Sequence, residues 1–247
     1  MIITKTLGSM VKFTSLVDEQ KRIYTENFKL KGDTPQGVFW NDRLTQYLRF
    51  DRLLAQLIRL SKNPSIHDVG CGTCELHTYL LNQGFQHKYS GTEIVDEMIE
   101  VALKKYPEVK ISKRDLVTDL SDDRHDWVVM SGAFNLRVGV DDSWKEYCYA
   151  LIERMFAKAI QGISFNFFTT YNTFSNPKLF YMNPIEVFHF CVTKLSRFVV
   201  LDHGYPLFEG TITVFNPLFM KGRCSDPLLA KYFGYLRATE SIGKVAQ

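Results

Sequence analysis

The order of strand-like and helix-like segments constrains the fold of this 247-residue chain more than any other feature. Five short runs predict strands, and helical segments separate most of them: SIHDVG, KYSGTEI, EVKISKRDL, DWVVMSGAF and GISFNFFTT. Strands that alternate with helices form βαβ units, whose strands run parallel and whose helices cover both faces of the sheet. Two later runs, LSRFVVLDH and LFEGTITVFN, lie close enough along the chain to pair antiparallel. The sequence therefore predicts an α/β fold with a mostly parallel sheet of seven strands.

Two helices are expected before the first strand, at about residues 18–29 and 41–61. In the second helix, the apolar positions that fall within one arc predict the buried face, and these are Leu44, Tyr47, Leu48, Ala55 and Ile58. We expect one domain over residues 1–247, with a helical cap at 1–62, a core at 63–216 and a peripheral tail at 217–247. From Cys224 onward the tail is expected to hold a helix and a frayed end.

The sharpest local signal is the segment DVGCGTC at residues 68–74, where the first strand turns into a helix. Gly70 and Gly72 let the backbone turn tightly and approach a ligand without a Cβ clash. The helix that follows offers unpaired backbone N–H groups. In parallel sheets, ligands bind at the carboxyl ends of the strands. The segment thus predicts a ligand site at that edge of the sheet.

Two acids end the next strands in register with this turn. Glu93 ends the second strand, where a carboxylate can accept both hydroxyls of a ribose. Asp115 ends the third strand, where it can reach an amine of a base. A dinucleotide fingerprint requires glycine at position 75, which is Glu here and would repel a pyrophosphate. Asp68 suits a cationic ligand, and S-adenosylmethionine carries a sulfonium and an ammonium.

With these residues in place, a family resemblance is clear. DVGCGTCELHTYL, YSGTEIVDEMIEVA, KISKRDL and VVMSGAFNLR resemble the successive motifs of class I S-adenosylmethionine-dependent methyltransferases. The resemblance covers about residues 36–216 and is greatest for a bacterial group with three further elements. These elements correspond here to Arg49-Phe50-Asp51, Phe134-Asn135 and His203-Gly204-Tyr205-Pro206-Leu207. It implies a Rossmann-like, doubly wound sheet with an antiparallel last strand and an N-terminal helical cap.

The resemblance also implies the cofactor contacts. Gly70 and Gly72 would line the methionine part, Glu93 would bind ribose, and Met98 and Leu116 would contact adenine. Arg49 is the candidate partner of the cofactor carboxylate, because arginine offers a bidentate fork. The complete predicted set is Trp40, Arg49, Asp68, Gly70, Cys71, Gly72, Glu93, Ile94, Met98, Asp115, Leu116, Ser131 and Gly132. Cys74 stands where the family usually has a third glycine, and we expect it on the first turn of the helix.

Two other interpretations use the same segment. Cys71 and Cys74 form a C-x-x-C at a helix start, where thiol pKa values are lowered, so a thioredoxin-like redox site is an alternative. A zinc site could use both cysteines together with His67 and His77. Neither explains the ordered acids, and inert packing is the ordinary role of such cysteines, so we assign no metal.

The acceptor side is less defined. The long segment between the fifth strand and the next helix, TTYNTFSNPKLFYMNP, is expected to cover an acceptor pocket. With aromatic residues at 14% of the chain, a subset is expected to frame that cleft: Tyr24, Trp40, Phe134, Tyr171, Phe174 and Tyr181. If the acceptor must lose a proton, the candidate catalytic residues are His203, Tyr171 and Asn135.

The remaining predictions concern partners and location. Lysine and arginine are scattered and the net charge is +3, so no basic stripe indicates nucleic-acid binding. The sequence lacks an N/D-P-P-Y/F tetrapeptide after the fourth strand, which disfavours amino-directed DNA methylation. No apolar run reaches the ~18 residues of a membrane helix, and a cytoplasmic location is expected. We predict methyl transfer to a hydroxyl or amine of a small molecule; the alternative is a non-catalytic cofactor-binding or protein-interaction module.

Overall fold

The computed structural model describes residues 2–119 and 121–233, so the predicted frayed end lies outside the described residues. The helices are α1 (Ile2–Lys31), α2 (Arg43–Leu60), α3 (Glu75–Asn82), α4 (Asp96–Lys105), α5 (Asp141–Lys158), α6 (Pro184–Phe190) and α7 (Pro217–Gly222). The strands are β1 (Ser65–Val69), β2 (Lys88–Glu93), β3 (Lys110–Lys113), β4 (His125–Met130), β5 (Ala159–Phe168), β6 (Val199–Asp202) and β7 (Glu209–Phe215). Short 3₁₀ helices lie at Pro35–Val38 and Pro227–Phe233, and α6 continues into one π turn at Cys191–Leu195.

The seven strands form one sheet in the order β3-β2-β1-β4-β5-β7-β6. Neighbours among β1 to β5 pair parallel, whereas β7 runs antiparallel to both β5 and β6. This arrangement confirms the predicted Rossmann-like sheet. The strand order reverses between β1 and β4, and such a reversal opens a crevice at the carboxyl ends of the strands.

Helices cover both faces of the sheet, so its central strands are apolar on both sides. In β4, Trp127 and Val129 belong to the core beneath α2 and α3, whereas Val128 and Met130 belong to the core beneath α5. All four side chains are fully buried. Alternation along a strand sends successive side chains to opposite faces, and a strand covered on both faces therefore reads as a continuous apolar run.

The predicted buried face of α2 was wrong. Leu44, Ala55 and Ile58 are exposed, and the helix buries the stripe Gln46, Arg49, Phe50, Leu53, Leu54 and Leu57. The apolar periodicity pointed to the wrong face because two residues of the buried stripe, Gln46 and Arg49, are polar. The apolar residues beside the stripe therefore fitted the helical period better than the buried ones. The side chain of Asp42 starts this helix by accepting a hydrogen bond from the Thr45 amide at 2.7 Å.

Helix α1 lies across the carboxyl edge of the sheet. The Gln20 amide donates to the Ala133 carbonyl, after β4, at 2.9 Å. On the other side, Lys21 forms an ion pair with Asp96 of α4 at 2.9 Å. This helix therefore covers the crevice, as the predicted cap requires, and it is longer than the sequence suggested. Within the described residues, no helix is long and apolar enough to cross a membrane.

Candidate active site

A cavity lies at the carboxyl edge of the sheet, between the strand ends and the cap. It encloses about 1280 Å³ of atom-free space, counting its solvent-open mouth. Its walls include all but one of the predicted cofactor residues, namely Trp40, Asp68, Gly70, Cys71, Gly72, Glu93, Ile94, Met98, Asp115, Leu116, Ser131 and Gly132. Arg49 is the exception.

The turn after β1 has the backbone shape that its glycines were expected to allow. Gly70 and Gly72 have φ angles of 70° and 53°, in the left-handed region that side chains disfavour. The Thr92 carbonyl of β2 accepts from the Gly70 and Cys71 amides at 2.8 and 3.0 Å. Two neighbouring strands thus fix the path of this turn.

Cys74 lies one step earlier than predicted. It occupies the N-cap position of α3, not the first helical turn, with a left-handed φ of 63°. Its side chain is fully buried in a small core with Cys71, Ala102 and Val109, and it does not line the cavity. Cys74, in place of the usual third glycine, therefore adds no side chain to the cavity wall. It lies buried beneath that wall in a backbone conformation that non-glycine residues disfavour.

Glu93 holds the turn and the start of α4 together. Its carboxylate accepts hydrogen bonds from the Gly72 amide at 2.8 Å and from the Ile94 and Val95 amides at 2.7 and 3.0 Å. Burial raises the pKa of Glu93, and the three amide bonds oppose that rise. The side chain is thus anchored at the wall where a ribose is expected.

The Asp68 carboxyl group, two residues before the first glycine of the turn, is buried away from solvent. Burial raises its pKa to about 7, while the Tyr89 hydroxyl, which donates to it at 2.6 Å, acts in the opposite direction. A buried carboxylate without a cationic partner is costly. The wall at Asp68 is therefore electrostatically suited to an ammonium or sulfonium group.

The end of the cavity near β3 combines one acid with apolar walls. Asp115 accepts from the Tyr147 hydroxyl at 2.6 Å and from the Thr118 amide at 3.1 Å. Leu116 and Met98 are almost fully buried beside it. An apolar slot with one fixed carboxylate fits an aromatic base that carries an amine.

The turn after β4 forms the wall at the strand-order reversal. The side chain of Asn166 in β5 fixes this turn. Its Oδ1 accepts a hydrogen bond from the Gly132 backbone N–H, and its Nδ2 donates one to the Ser131 hydroxyl, both at 3.1 Å. The Trp40 ring packs so closely on Gly132 that a Cβ there would lie 2.5 Å from the ring. Only glycine fits at this position, where φ is 88°.

Arg49 lies behind this wall. Its guanidinium Nε donates to both Glu209 oxygens, at 2.8 and 2.9 Å, and both side chains are buried. The guanidinium also stacks on Trp40, with 4.2 Å between its carbon and the ring centroid. Its Nη1 has no hydrogen-bond partner among the described residues. The role predicted for Arg49 toward the cofactor carboxylate stays a prediction, while its observed contacts hold Trp40 in place.

Of the three candidate catalytic residues, the structure brings only Asn135 to the cavity. The chain turns away at Thr169, whose hydroxyl lies 3.2 Å from His203 Nε2. Tyr171 is 54% exposed and meets the His203 ring edge-on, with 6.1 Å between centroids. Neither of these two side chains lines the cavity.

The expected aromatic cleft is also smaller than predicted. Tyr24 and Trp40 line the cavity, whereas Phe134 is buried against Phe165 in the core. Phe174 is 60% exposed and packs on Phe208, and the Tyr181 hydroxyl binds the Asn176 amide at 3.0 Å. The long segment after β5 reaches the cavity at Leu179. Cavity residues that the sequence did not reveal include Gln20, Gln46, Phe50, Phe168 and Leu179; the polar stripe of α2 was the one available signal for Gln46.

The structure does not favour the two rival interpretations of the cysteines. Cys71 shares a hydrogen bond with Cys74, and this bond together with burial raises its pKa well above the ordinary thiol value, opposite to an activated thiolate. His67 contacts Ser90, and His77 contacts His87, each at 2.9 Å. Within residues 2–119 and 121–233, no group of three or more such ligands is placed to hold a metal ion.

The cavity suits S-adenosylmethionine by the chemistry of its walls. The Asp68 carboxyl lines the cavity and has no cationic partner among residues 2–119 and 121–233. The anchored Glu93 follows it, and the slot of Met98 and Leu116 ends at Asp115. Carboxylates in that order match a cationic amino-acid part, a ribose and an amine-bearing base. These residues would hold the cofactor, and the strand-order reversal locates it as in other doubly wound sheets.

Comparisons with known proteins agree with this site. The sequence profile of a family described as "Methyltransferase domain" matches residues 66–154. The chain is 33% identical over 153 residues to Rv1506c of Mycobacterium tuberculosis, provisionally named a methyltransferase; the match covers 61% of this chain and 92% of the relative.

Two solved structures share the fold. Magnesium protoporphyrin IX methyltransferase from Synechocystis, with bound S-adenosylmethionine, superposes with a TM-score of 0.54 at 15% identity, covering 79% of this chain and 97% of that one. The 1,6-didemethyltoxoflavin-N1-methyltransferase of Burkholderia thailandensis, with its acceptor and S-adenosylhomocysteine, gives 0.53 at 14% identity, covering 80% and 89%. With the motifs, sheet order and cavity described above, the chain belongs to the class I S-adenosylmethionine-dependent methyltransferases.

Proposed function

We propose that this methyltransferase acts on a hydroxyl or amine of a small molecule that binds beside the cofactor. The observation that carries this proposal is the group of cavity residues outside the predicted cofactor set. These residues come from α1, α2, the turn after β4 and the segment after β5, and they include Tyr24, Gln46, Asn135 and Leu179. Trp40, from the predicted cofactor set, lines the same cavity. These side chains are all uncharged, and two of them, Tyr24 and Trp40, are aromatic, as in pockets for small organic molecules.

The cover over the cavity also supports a small acceptor. Tyr24 lies across the turn after β4, with its hydroxyl 3.5 Å from the Gly132 carbonyl, and Gln20 binds the next carbonyl. A polymer would require an open groove, and nucleic acid would require a basic one. The acceptors named for the two solved relatives are a porphyrin and a small heterocycle, which fits the same reasoning.

The cofactor supplies an electrophilic methyl group on a positively charged sulfur when it is bound. The chain's own residues then act mainly by positioning and by excluding water. Asp68 offers its carboxylate to the cation, Glu93 fixes the turn, and Trp40 closes the wall at Gly132. Asn135 can orient an acceptor but cannot deprotonate it, because an amide has no titratable group in this range.

The test is a screen of hydroxyl- and amine-bearing metabolites for S-adenosylhomocysteine release. We expect turnover with the native protein and none with Glu93→Ala, which loses three hydrogen bonds at the turn. The matched control is Glu97→Ala, whose side chain pairs with Lys29 at the surface at 2.8 Å. If the protein binds the cofactor but methylates no hydroxyl or amine in the panel, the non-catalytic alternative is favoured and the proposal fails.

A further inference from the structure

We propose that the methyl acceptor is an amine whose N–H donates a hydrogen bond to Oε1 of Gln20, on the inner side of α1. This inference rests on the proposed function and names, within it, the reacting group and the residue that holds it. The observation behind it is the Gln20 side chain, which lines the cavity and is 6% exposed. Within the described residues its carboxamide makes one hydrogen bond, from Nε2 to the Ala133 carbonyl at 2.9 Å.

That bond fixes which end of the carboxamide is free. A backbone carbonyl can only accept, so the nitrogen of Gln20 faces Ala133 and the oxygen is left over. This Oε1 is not among the unpaired polar atoms that the described part of the chain seals from solvent, so it keeps accessible surface on a residue that lines the cavity. Buried polar groups are nearly always paired in native proteins, and an accessible oxygen without a partner at a cavity wall therefore indicates a ligand that donates a hydrogen bond.

The position of this oxygen favours the acceptor over the cofactor. The cavity lies between the strand ends and the cap, and Asp68 and Glu93 belong to the strand ends, where the cofactor is expected. Gln20 belongs to the cap, and it is anchored on the residue that directly follows Ser131 and Gly132. Those two residues are predicted to flank the methionine part, which carries the methyl group. A group that Gln20 binds would therefore lie beside the methyl group that is transferred.

The chemistry of a carboxamide selects an amine over a hydroxyl. An amide oxygen accepts a hydrogen bond but does not take a proton near neutral pH. The nitrogen of a neutral amine forms the new bond to the methyl carbon with its lone pair, while the electron pair of the broken carbon–sulfur bond stays on sulfur. The proton stays on nitrogen during this step and is released to water afterwards. A hydroxyl group would have to lose its proton for attack, and Gln20 offers no base for that.

The contact with Gln20 also strengthens as the amine reacts. Positive charge develops on the nitrogen, so its hydrogen bond to Oε1 becomes charge-assisted in the transition state. Tyr24 lies one helical turn further along α1, with its hydroxyl 3.5 Å from the Gly132 carbonyl. Burial and the nearby Glu93 carboxylate raise the pKa of Tyr24, so this hydroxyl stays protonated and does not replace Gln20 as a base.

The first experiment measures ligand binding, by calorimetry, to the protein saturated with S-adenosylhomocysteine. The two probes share one aromatic ring system, which suits the Tyr24 and Trp40 walls. 6-Aminoquinoline presents an N–H, and 6-methylquinoline has nearly the same shape without it. We expect the amine to bind about three- to tenfold more tightly, the size of one hydrogen bond. Because no turnover is needed, failure of this preference is distinguishable from failure of methyl transfer.

A variant tests whether Gln20 carries the preference. Gln20→Met keeps the length of the side chain but has no amide oxygen, so the two probes should bind it equally. S-adenosylhomocysteine should bind this variant as it binds the native protein, which also shows that the variant is folded. A purely structural role of Gln20 would weaken both probes together and keep their ratio. The matched control, Gln83→Met at the exposed end of α3, should keep the native preference.

The second experiment compares amines with hydroxyl compounds of the same carbon skeleton in the S-adenosylhomocysteine release assay. We expect turnover with amines only, and Gln20→Met should lower kcat more than it raises KM, because the lost bond is strongest in the transition state. Turnover of the hydroxyl compounds would overturn the proposal. Equal binding of the two quinolines to the native protein, an unchanged preference in Gln20→Met, or weaker S-adenosylhomocysteine binding by this variant would each overturn it as well. If the binding preference holds but neither class turns over, the proposed function fails, and the assignment of the reacting group fails with it.

Discussion

Asp68 predicts a specific pH dependence of cofactor binding. In the cofactor-free protein its pKa is about 7, because burial disfavours the carboxylate. A cationic amino acid part of the cofactor binds the ionised form, so protonation at lower pH competes with binding. With a pKa of 7, the apparent Kd for S-adenosylmethionine should rise about fifteenfold between pH 7.0 and pH 5.5, and the cofactor's amine stays largely protonated throughout that range.

Ionisation of Asp68 favours cofactor binding, but in the cofactor-free protein it lowers the free energy of unfolding. The folded pKa lies above the ordinary carboxyl value, so the native state binds more protons than the unfolded state between about pH 4 and pH 7. The contribution of Asp68 to stability is therefore present below about pH 4 and is lost as the pH rises through 7. Binding of the cationic cofactor should oppose that loss, so cofactor-induced thermal stabilisation should increase with pH.

Calorimetry at several pH values checks this prediction, with two controls. Asp68→Asn should bind more weakly at pH 7.0 and show a flat profile. The second control is 5′-methylthioadenosine, which lacks the amine but keeps the ribose that Glu93 is expected to hold, so its Kd should not follow the same slope. None of the described residues that line the cavity is a histidine, so histidine titration there does not contribute to the pH dependence of the Kd. An equal slope for Asp68→Asn or for 5′-methylthioadenosine would refute the reasoning, and so would a flat profile for the native protein.

Three further predictions concern the walls and the core. Gly132→Ala places a Cβ 2.5 Å from the Trp40 ring, so either the backbone or the ring must shift. Titration should then show at least about tenfold weaker cofactor binding, and an unchanged affinity would contradict this. Glu209→Ala leaves the buried Arg49 guanidinium unpaired, and denaturant unfolding should show that the free energy of unfolding falls by about 3–5 kcal/mol. The control is Asp202→Ala, which should cost far less, because the Asp202 carboxylate lies 3.9 Å from the Arg52 guanidinium near the surface. Leu54→Ala in the fully buried core under α2 should destabilise by about 2–5 kcal/mol in the same assay, and a loss below 1 kcal/mol would show that the helix packs less tightly than described.

The sequence allowed prediction of those site residues whose position follows from the end of a strand. Asp68 and Glu93 are among the last two residues of β1 and β2, and Asp115 follows the end of β3 by two residues. The carboxyl ends of neighbouring parallel strands meet at one edge of the sheet. Local order along the chain was therefore enough to bring them to one cavity. The glycines of the turn could be assigned for the same reason.

Residues that meet only through tertiary packing could not be predicted. Arg49 and Glu209 are 160 positions apart, and no local pattern indicates that a buried carboxylate awaits the arginine. The face of α2 was misplaced because Gln46 and Arg49 occupy its inner stripe, where periodicity expects apolar residues. His203 and Tyr171 were chosen by residue type alone, and the turn at Thr169 that takes them from the cavity has no clear sequence signal.

The contact between Trp40 and Gly132 gives the protein its own optical reporter. The chain has three tryptophans, and Trp127 and Trp144 are both fully buried in the core. Trp40 is the tryptophan that lines the cavity, with a guanidinium against its ring. A ligand that enters should therefore alter the emission of this indole and leave that of the other two constant, so steady-state fluorescence reads occupancy without a label. Trp40→Phe would silence the signal and keep an aromatic wall.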